Sequence, residues 1–321
     1  MDALNPIRCL AGVDEAGLGP ILGPLVVAGA ALEGRAGVDP WLALEPFVTR
    51  KGPRDRQIQV ADSKKVNQGP HGLRRLERTA LCAWTVFWGR LPATAGEFLD
   101  QLGADVGRIR RCPWYSSLDL PLPLANDAGD VELAAHLLGR TMREASIAIL
   151  HLCALPIEVE EFNATIAATD NKGATHLHHY VRVLADVLRR VSPGSTVLAD
   201  RCGGRAHYRS ALQKAFPDAS VTRLREDAEI SSYDVVRRDG PVRVTFATAG
   251  EERAFPTALA SCLAKYVREV MVRVLNDWFA ERIPGLARTA GYWVDGHRFL
   301  GDVAPLLERE ALPRELLIRS R

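Results

Sequence analysis

Apolar residues recur at helical spacing in two long segments of the chain. In residues 174–191 the apolar positions are Leu177, Val181, Leu184, Leu188 and Val191. Residues 257–280 show the same spacing over a longer run, and residues 132–145 (ELAAHLLGRTMREA) over a shorter one. Because this spacing gathers apolar side chains on one helix face, all three segments are predicted to be amphipathic helices.

Two other segments have the short apolar runs that are typical of buried strands. Residues 23–31 (GPLVVAGAA) combine small and β-branched residues after a glycine-rich turn, and residues 195–200 (STVLAD) end in an acid. Strands mixed with helices predict an α/β fold.

The 321 residues are enough for one large domain, and we expect a single one. Residues 91–150 contain irregular, turn-rich pieces, so we predict an insertion there that lies at the periphery. A smaller insertion is predicted at about 226–245, and a helical carboxyl-terminal region at about 257–321.

Composition limits the classes of protein that remain. The chain is 47% hydrophobic and 25% charged, which is ordinary for a globular protein, and its net charge of +2 gives no global signal for nucleic-acid binding. It has no apolar run of transmembrane length, and its first residues lack the pattern of a signal peptide, so we expect a cytoplasmic protein that does not bind a membrane. The six cysteines have no metal-finger spacing and are expected to be free thiols.

The densest chemical signal is the segment Gly12–Pro20 (GVDEAGLGP), which contains the adjacent acids Asp14 and Glu15. Neighbouring side chains on a strand point to opposite faces, so both acids can reach one site only near a strand end or a bulge. The glycines at 17 and 19 allow a ligand to approach the backbone amides. An acidic surface turn is the alternative interpretation.

Two further acids stand where α/β proteins place functional groups. Asp200 ends a predicted strand, and ligands of open α/β sheets bind at the carboxyl ends of strands. Glu251 precedes the long predicted helix. Each is also explained as an ordinary loop or capping acid. Asp227 and Asp234 are weaker candidates for the place of Glu251.

Taken together, these segments resemble the type 2 ribonucleases H, the family of ribonucleases HII and HIII. GVDEAGLGP is similar to the family's opening motif GxDEAGRGP, residues 62–65 to its DSKK motif, and residues 258–265 (ALASCLAK) to its AASILAK helix start. Gly291 and Tyr292, with Asp295 and the pair at 299–300, resemble the GY..D...FL tail. The family spacing, fourteen residues before Lys265, falls on Glu251, where HIII enzymes have glutamate and HII enzymes aspartate.

This resemblance implies a ribonuclease H-like fold, in which helices flank a central mixed sheet. It also implies that four acids, Asp14, Glu15, Asp200 and Glu251, lie at one end of that sheet. Crowded carboxylates raise one another's pKa unless cations neutralise them, and oxygen ligands suit Mg²⁺ or Mn²⁺. Two such ions, roughly 3.5–4 Å apart, would activate a water and stabilise the leaving 3′ oxygen. The expected products carry 5′-phosphate and 3′-hydroxyl ends.

The resemblance also implies how the substrate is recognised. The backbone at Gly17, Leu18 and Gly19 is expected to contact the 2′-hydroxyl of the ribose, although Leu18 replaces the usual HII arginine. Ser63 and Lys64 are the expected phosphate contacts, with a solvated lysine as the alternative.

Tyr292 is expected to lie against the sugar at an RNA–DNA junction, unless it is simply a packed aromatic residue. The histidines at 176, 178 and 179 are interpreted as solvated or packed residues of a helix.

The sequence thus predicts a metal-dependent endonuclease that cuts the RNA strand of RNA–DNA hybrids, including ribonucleotides embedded in DNA. No obligate protein partner is evident. The alternatives are a catalytically weakened paralogue that binds hybrids without cutting efficiently, and an unrelated α/β protein with coincidental motifs. Leu18 and the two predicted insertions motivate the first alternative, and the presence of all four acids argues against it.

Overall fold

The computed structural model describes residues 7–53 and 57–320. The first six residues, which we had examined for a leader peptide, lie outside this part. The strands that it contains are β1 (Ile7–Ala16), β2 (Leu25–Arg35), β3 (Val48–Thr49), β4 (Ile58–Gln59), β5 (Ala148–Ile157), β6 (Thr196–Asp200), β7 (Ser220–Glu226), β8 (Ile230–Arg237) and β9 (Gly240–Ala247).

Helices connect and cover these strands. In chain order they are α1 (Pro40–Ala43), α2 (Ser63–Val66), α3 (Gly72–Trp88), α4 (Ala95–Gln101), α5 (Val106–Ile109), α6 (Ala128–Glu144), α7 (Val159–Thr169), α8 (Lys172–Arg190), α9 (Arg209–Ala215), α10 (Gly250–Arg253), α11 (Phe255–Arg282) and α12 (Trp293–Arg309). Short 3₁₀ helices occupy Pro113–Tyr115 and Arg314–Leu316.

Seven strands form one mixed sheet in the order β5-β2-β1-β6-β9-β8-β7, and β3 and β4 pair separately. In the middle, β1, β6 and β9 run parallel, so their carboxyl ends lie at the same edge of the sheet. The other neighbours pair antiparallel. With helices on both faces, this architecture confirms the predicted α/β class with a central mixed sheet.

The sheet separates two hydrophobic clusters. On one face, α11 packs against β1 and β2 over the larger cluster; on the other, α8 packs against β1, β2 and β5 over the smaller one. Glycines in the strands allow both helices to approach closely. A Cβ on Gly12 would lie 2.2 Å from the backbone nitrogen of Thr257, and one on Gly29 would lie 2.5 Å from the side chain of Val187.

The predicted elements are present with shifted ends. The two predicted strands are β2 and β6, and the predicted helices are α8, α11 and α6. The helix α8 begins two residues earlier than its apolar pattern because Asn171 caps it, its side chain accepting a hydrogen bond of 2.9 Å from the backbone of Ala174.

Residues 91–150 do not lie at the periphery, so that prediction is wrong. Phe98, Trp114 and Tyr115 are buried in the larger cluster, and the Trp114 ring stacks on Phe279 of α11 at 5.7 Å. The last three residues of the segment belong to β5. The turn-rich sequence did not indicate this burial, because the large apolar residues are buried by helices that lie far away along the chain.

The smaller predicted insertion at 226–245 contains β8 and most of β9. Because β9 pairs with β6 in the main sheet, an insertion here would have to include strands of the central fold. That either segment is an insertion relative to a family stays a prediction.

Among the described residues, none of the helices has the length and apolar character needed to cross a membrane. The six cysteines are free thiols, as predicted, and five of them are buried.

Candidate active site and metal centre

Three acids meet at the carboxyl ends of the central parallel strands. The pairing of β1 with β6 extends to Val13 and Ala199, so Asp14 and Asp200 follow directly on adjacent strands. Asp14, Glu15 and Asp200 each offer a carboxylate oxygen that lies within 4.8 Å of the others. We call these three residues the acid group.

Asp14 lies on the face of β1 that packs against α11 and is 6% exposed. One of its carboxylate oxygens accepts a 2.7 Å hydrogen bond from the backbone of Glu15. Burial, and then the charges of Glu15 and Asp200, raise the pKa of Asp14 well above its ordinary value, although a hydrogen bond from Ser261 opposes this. Asp14 therefore lies where the ionised form of its carboxyl group is destabilised.

Glu15 points to the opposite face of β1, toward α8, and reaches the same site from there. Its Oε1 lies 3.5 Å from Nε2 of His176, which is 2% exposed. The other carboxylate oxygen, Oε2, is buried without a hydrogen-bond partner. The convergence of Asp14 and Glu15 from two faces occurs near the strand end, as the alternation of side chains requires.

Asp200 is the last residue of β6, and its Oδ1 accepts a 2.9 Å hydrogen bond from the backbone of Gly250. Burial is the largest cause that raises the pKa of Asp200 to about 6; the bond from Gly250 lowers it, and the charges of Glu251 and Glu15 raise it further. A Cβ on Gly250 would lie 3.2 Å from the Cα of Asp200. Because glycine has no side chain, α10 can begin directly against this acid.

Glu251 follows Gly250 and is close enough to Asp200 to affect its pKa, but it is not a member of the acid group at the 4.8 Å limit. Burial raises the pKa of Glu251, with added contributions from Asp62 and Glu252. The structure thus brings three of the four predicted acids together and leaves the fourth beside them.

The two alternatives to Glu251 are engaged elsewhere. Asp234 forms an ion pair of 3.1 Å with Arg243 on the neighbouring strand β9. Asp227 accepts hydrogen bonds from the backbones of Glu229 and Ile230 in the turn before β8.

The glycine segment after β1 is fixed by two buried arginines that the sequence did not reveal. Gly17 has a φ of 90°, and a Cβ there would lie 2.5 Å from the side chain of Arg268. Arg319 donates a 2.6 Å hydrogen bond to the carbonyl of Gly17 and two more to Gly23. Burial lowers the pKa of Arg319 to about 9. The two arginines hold the loop of Gly17, Leu18 and Gly19 in one conformation.

Leu18 and Gly19 leave this loop open toward solvent. A Cβ on Gly19 would meet no atom within 4 Å. Leu18 is half-buried and lines an open groove of ≈ 680 Å³ with His176, Cys202 and Arg205. The groove begins beside the acid group, because His176 also faces Glu15.

The predicted phosphate contacts flank the acids. Ser63 is buried, and its hydroxyl lies at the hydrogen-bond distance of 3.0 Å from the hydroxyl of Ser261, the residue that also bonds Asp14. Lys64 is exposed, and its charge opposes the rise in the pKa of Glu251. Since Ser63 is already bonded within the fold, Lys64 is the better placed of the two to meet a phosphate.

Tyr292 is 53% exposed and precedes α12. The preceding carbonyl, of Gly291, accepts hydrogen bonds of 2.8 and 3.2 Å from the backbones of Ile21 and Leu22. These bonds place Gly291 beside Ile21 and Leu22, just after the glycine segment, and the exposure of Tyr292 differs from that of a packed aromatic residue.

The chemistry of the acid group fits divalent metal ions. All its ligand atoms are carboxylate oxygens, and no Lys or Arg side chain of the described residues forms an ion pair with them; the imidazole of His176 lies 3.5 Å from Glu15. Burial, and then the charges of neighbouring carboxylates, raise the pKa values of Asp14 and Asp200, and Oε2 of Glu15 is buried without a hydrogen-bond partner. Asp14, Glu15 and Asp200, with Glu251 beside them, are the residues that would hold hard cations such as Mg²⁺ or Mn²⁺.

Comparisons with known proteins gave matches only among solved structures; no protein-family model and no curated protein matches the chain. RNase HII in its complex with PCNA from Archaeoglobus fulgidus aligns with 97% of this chain and 94% of its own, at 16% identity and a TM-score of 0.42. Ribonuclease H2 from Pyrococcus horikoshii OT3 aligns with 97% of this chain and 92% of its own, at 13% identity and a TM-score of 0.43. Bst-RNase HIII in complex with Mn²⁺ aligns with 97% of this chain and 66% of its own, at 13% identity and a TM-score of 0.41.

These structures are ribonucleases HII and HIII, the enzymes whose motifs the sequence resembles. With identities and TM-scores this low, we infer neither the chemistry nor the substrate of this chain from the similarity.

Proposed function

We propose that the chain is a metal-dependent endonuclease that hydrolyses the RNA strand of RNA–DNA hybrids and cuts at ribonucleotides embedded in DNA. The observation that carries this proposal is the acid group at the ends of β1 and β6, directly beside a glycine loop held by Arg268 and Arg319. The group offers ligands for cations, and the loop offers backbone amides to a substrate.

Each residue of the site has a distinct part in the proposal. Asp14, Glu15 and Asp200 bind the cations, and Glu251 completes the ligand set when substrate and metal are present. When bound, two Mg²⁺ or Mn²⁺ ions would supply Lewis acidity to the attacking water and the leaving 3′ oxygen. Products with 5′-phosphate and 3′-hydroxyl ends are expected.

Recognition of RNA is proposed to rest on the glycine loop. Its conformation is fixed by buried hydrogen bonds to Arg319, so the amides of Gly17, Leu18 and Gly19 are ordered before a substrate arrives. The 2′-hydroxyl both donates and accepts hydrogen bonds and distinguishes RNA from DNA. Because Leu18 supplies an amide whatever its side chain, its replacement of arginine removes a charge but not this contact.

Phosphate and sugar contacts would lie on either side of the loop. Lys64 is exposed beside Glu251 and is proposed to meet a phosphate. Tyr292 is exposed and is proposed to stack on the sugar that follows a ribonucleotide. This arrangement favours a switch from RNA to DNA at the cut.

The test is cleavage of three labelled duplexes by the purified chain with Mg²⁺ or Mn²⁺: a full hybrid, a DNA duplex with one ribonucleotide, and plain DNA. We expect cleavage of the first two, on the 5′ side of the lone ribonucleotide in the second, and none of plain DNA. Activity that persists in EDTA, or cleavage of all three alike, contradicts the proposal. Tight binding of the hybrid without cleavage would instead support the catalytically weakened alternative.

A further inference from the structure

A second group of possible metal ligands lies away from the acid group, on the edge strand of the sheet. His151 and Cys153 are on β5, and Asp186 is on α8, which packs against that strand. One ligand atom from each residue lies within 4.8 Å of the other two. The His151 Nε2 and the Asp186 Oδ2 are 2.7 Å apart.

The fold places these three side chains together for reasons that can be traced. Residues two apart on a strand point to the same face, so His151 and Cys153 both face α8. Cys153 pairs with Gly29 of β2, where a Cβ would lie 3.0 Å from the cysteine sulfur. Because Gly29 has no side chain, the thiol has room above the sheet.

We propose that His151, Cys153 and Asp186 form a binding site for a zinc ion, separate from the acid group. An imidazole, a thiolate and a carboxylate are the ligand types that zinc takes in proteins, whereas Mg²⁺ and Mn²⁺ prefer oxygen ligands only. The proposal does not depend on nuclease activity, since none of the three residues belongs to the acid group.

Only small movements would be needed to accept the ion. Zinc bonds of about 2 Å at a tetrahedral angle separate two ligand atoms by about 3.3 Å. The His151–Asp186 pair at 2.7 Å would therefore open by less than an ångström. The hydrogen bond from His151 holds the pKa of Asp186 at about 2, so this ligand is already ionised at neutral pH. As the ion binds, Cys153 would release its proton to the solvent, and the proton on Nε2 of His151 would be replaced by one on Nδ1.

The surroundings leave a fourth coordination position for water. All three residues line one cavity of ≈ 1020 Å³, which is open to solvent. The cavity is also lined by basic side chains: Arg182, Arg189, Arg190, Arg205 and Lys214. A thiolate and a carboxylate together balance the two charges of zinc, so the complex would be neutral and the arginines would not repel it.

Cobalt substitution of the full chain tests this proposal, because Co²⁺ bound to a thiolate gives a near-ultraviolet charge-transfer absorption that oxygen ligands do not give. We expect this band on adding one equivalent of Co²⁺ to the wild type, and its displacement by Zn²⁺. It should persist in Asp14→Asn, which disrupts only the acid group. It should also persist in Cys9→Ala, a matched control because Cys9 is buried in the same hydrophobic cluster.

Loss of the band in Cys153→Ala, together with at least a tenfold weaker zinc affinity in His151→Gln and Asp186→Asn, would support the site. The two polar variants address the possibility that Cys153→Ala fails to fold, which circular dichroism would reveal. A wild-type chain that gives no thiolate band, or a zinc affinity unchanged in His151→Gln and Asp186→Asn, overturns the proposal.

Discussion

The acid group and the His151–Cys153–Asp186 group are built alike but are electrostatically opposite. Both groups take ligands from strands of the same sheet; Glu15 of the acid group faces α8, and Asp186 of the other group lies on that helix. In the acid group three carboxylates repel one another, and the pKa of Asp200 rises to about 6 through burial and neighbouring charges. In the other group a histidine bonds the acid, and the pKa of Asp186 falls to about 2.

This difference shows how each group depends on a bound metal ion. Burial and neighbouring charges raise the pKa values of Asp14 and Asp200, and a bound divalent cation would stabilise the ionised form of both carboxylates. The His151 group is already satisfied by its internal hydrogen bond, so a metal there is an addition that must displace a proton. The predictions below test these two descriptions.

The largest expected effect comes from Asp14→Asn, which keeps the side-chain volume and removes the charge shared by the acid group. Cleavage of a hybrid should fall at least about a thousandfold, or about 4 kcal/mol in the activation free energy. Measured without metal, the melting temperature should stay equal or rise, because a buried repulsion is removed. The exposed Asp218, changed to Asn, is the matched control and should leave both quantities unchanged.

The raised pKa of Asp200 predicts a pH dependence of stability in EDTA. The folded state holds this proton more tightly than the unfolded state, whose aspartate has its ordinary pKa. Stability is therefore fully present below that ordinary value and is lost as pH rises from about 4 to about 6. The loss should be at most about 3 kcal/mol. Denaturant unfolding at several pH values measures it; Asp200→Asn should flatten the slope, and an equally steep slope in that variant would rule out Asp200 as its cause.

Glu251→Gln should have a smaller effect than Asp14→Asn because Glu251 lies beside the acid group and not within it. We expect a loss of about 10–100-fold in activity or metal affinity, the range for groups that support metal ligands. Glu252→Gln is the matched neighbour, and it should lose only an exposed ion pair with Lys65. A loss as large as that of Asp14→Asn would show that Glu251 contributes as much as the acid group, and no loss at all would contradict its place in the ligand set.

The smallest expected effect concerns Tyr292, which is proposed to contact the substrate and not the metal ions. Tyr292→Ala should reduce cutting at a lone ribonucleotide more than cutting of a continuous hybrid. We expect a difference of about 1 kcal/mol, the lower end for one stacking contact, because the ring is half exposed. The neighbouring Val294→Ala is the control. Equal losses on both substrates would make Tyr292 a structural residue.

The sequence was informative where a pattern is local. Apolar spacing predicted α8 and α11, and the acid at the end of STVLAD predicted that Asp200 would lie at the end of a strand. The alternation of side chains correctly required Asp14 and Glu15 to meet near a strand end. Each of these inferences depends on residues within one element or on a short motif.

What escaped prediction depends on contacts between distant parts of the chain. Arg319 reaches Gly17 from the other end of the sequence, and His176 meets Glu15 only after α8 packs on β1. The sequence favours a solvated or packed helical residue at His176, because the pattern of its own helix does not indicate that Glu15 of β1 lies beside it. Burial of 91–150 likewise depends on its contact with α11, which the turn-rich composition does not encode.

The most direct test of the central claim, that the acid group is the metal centre, is anomalous scattering from crystals of the full chain grown with Mn²⁺. We predict manganese peaks at about 2.1–2.3 Å from carboxylate oxygens of Asp14, Glu15 and Asp200, and their loss in Asp14→Asn crystals. Ordered manganese bound elsewhere on the chain, with none at these three carboxylates, would contradict the account.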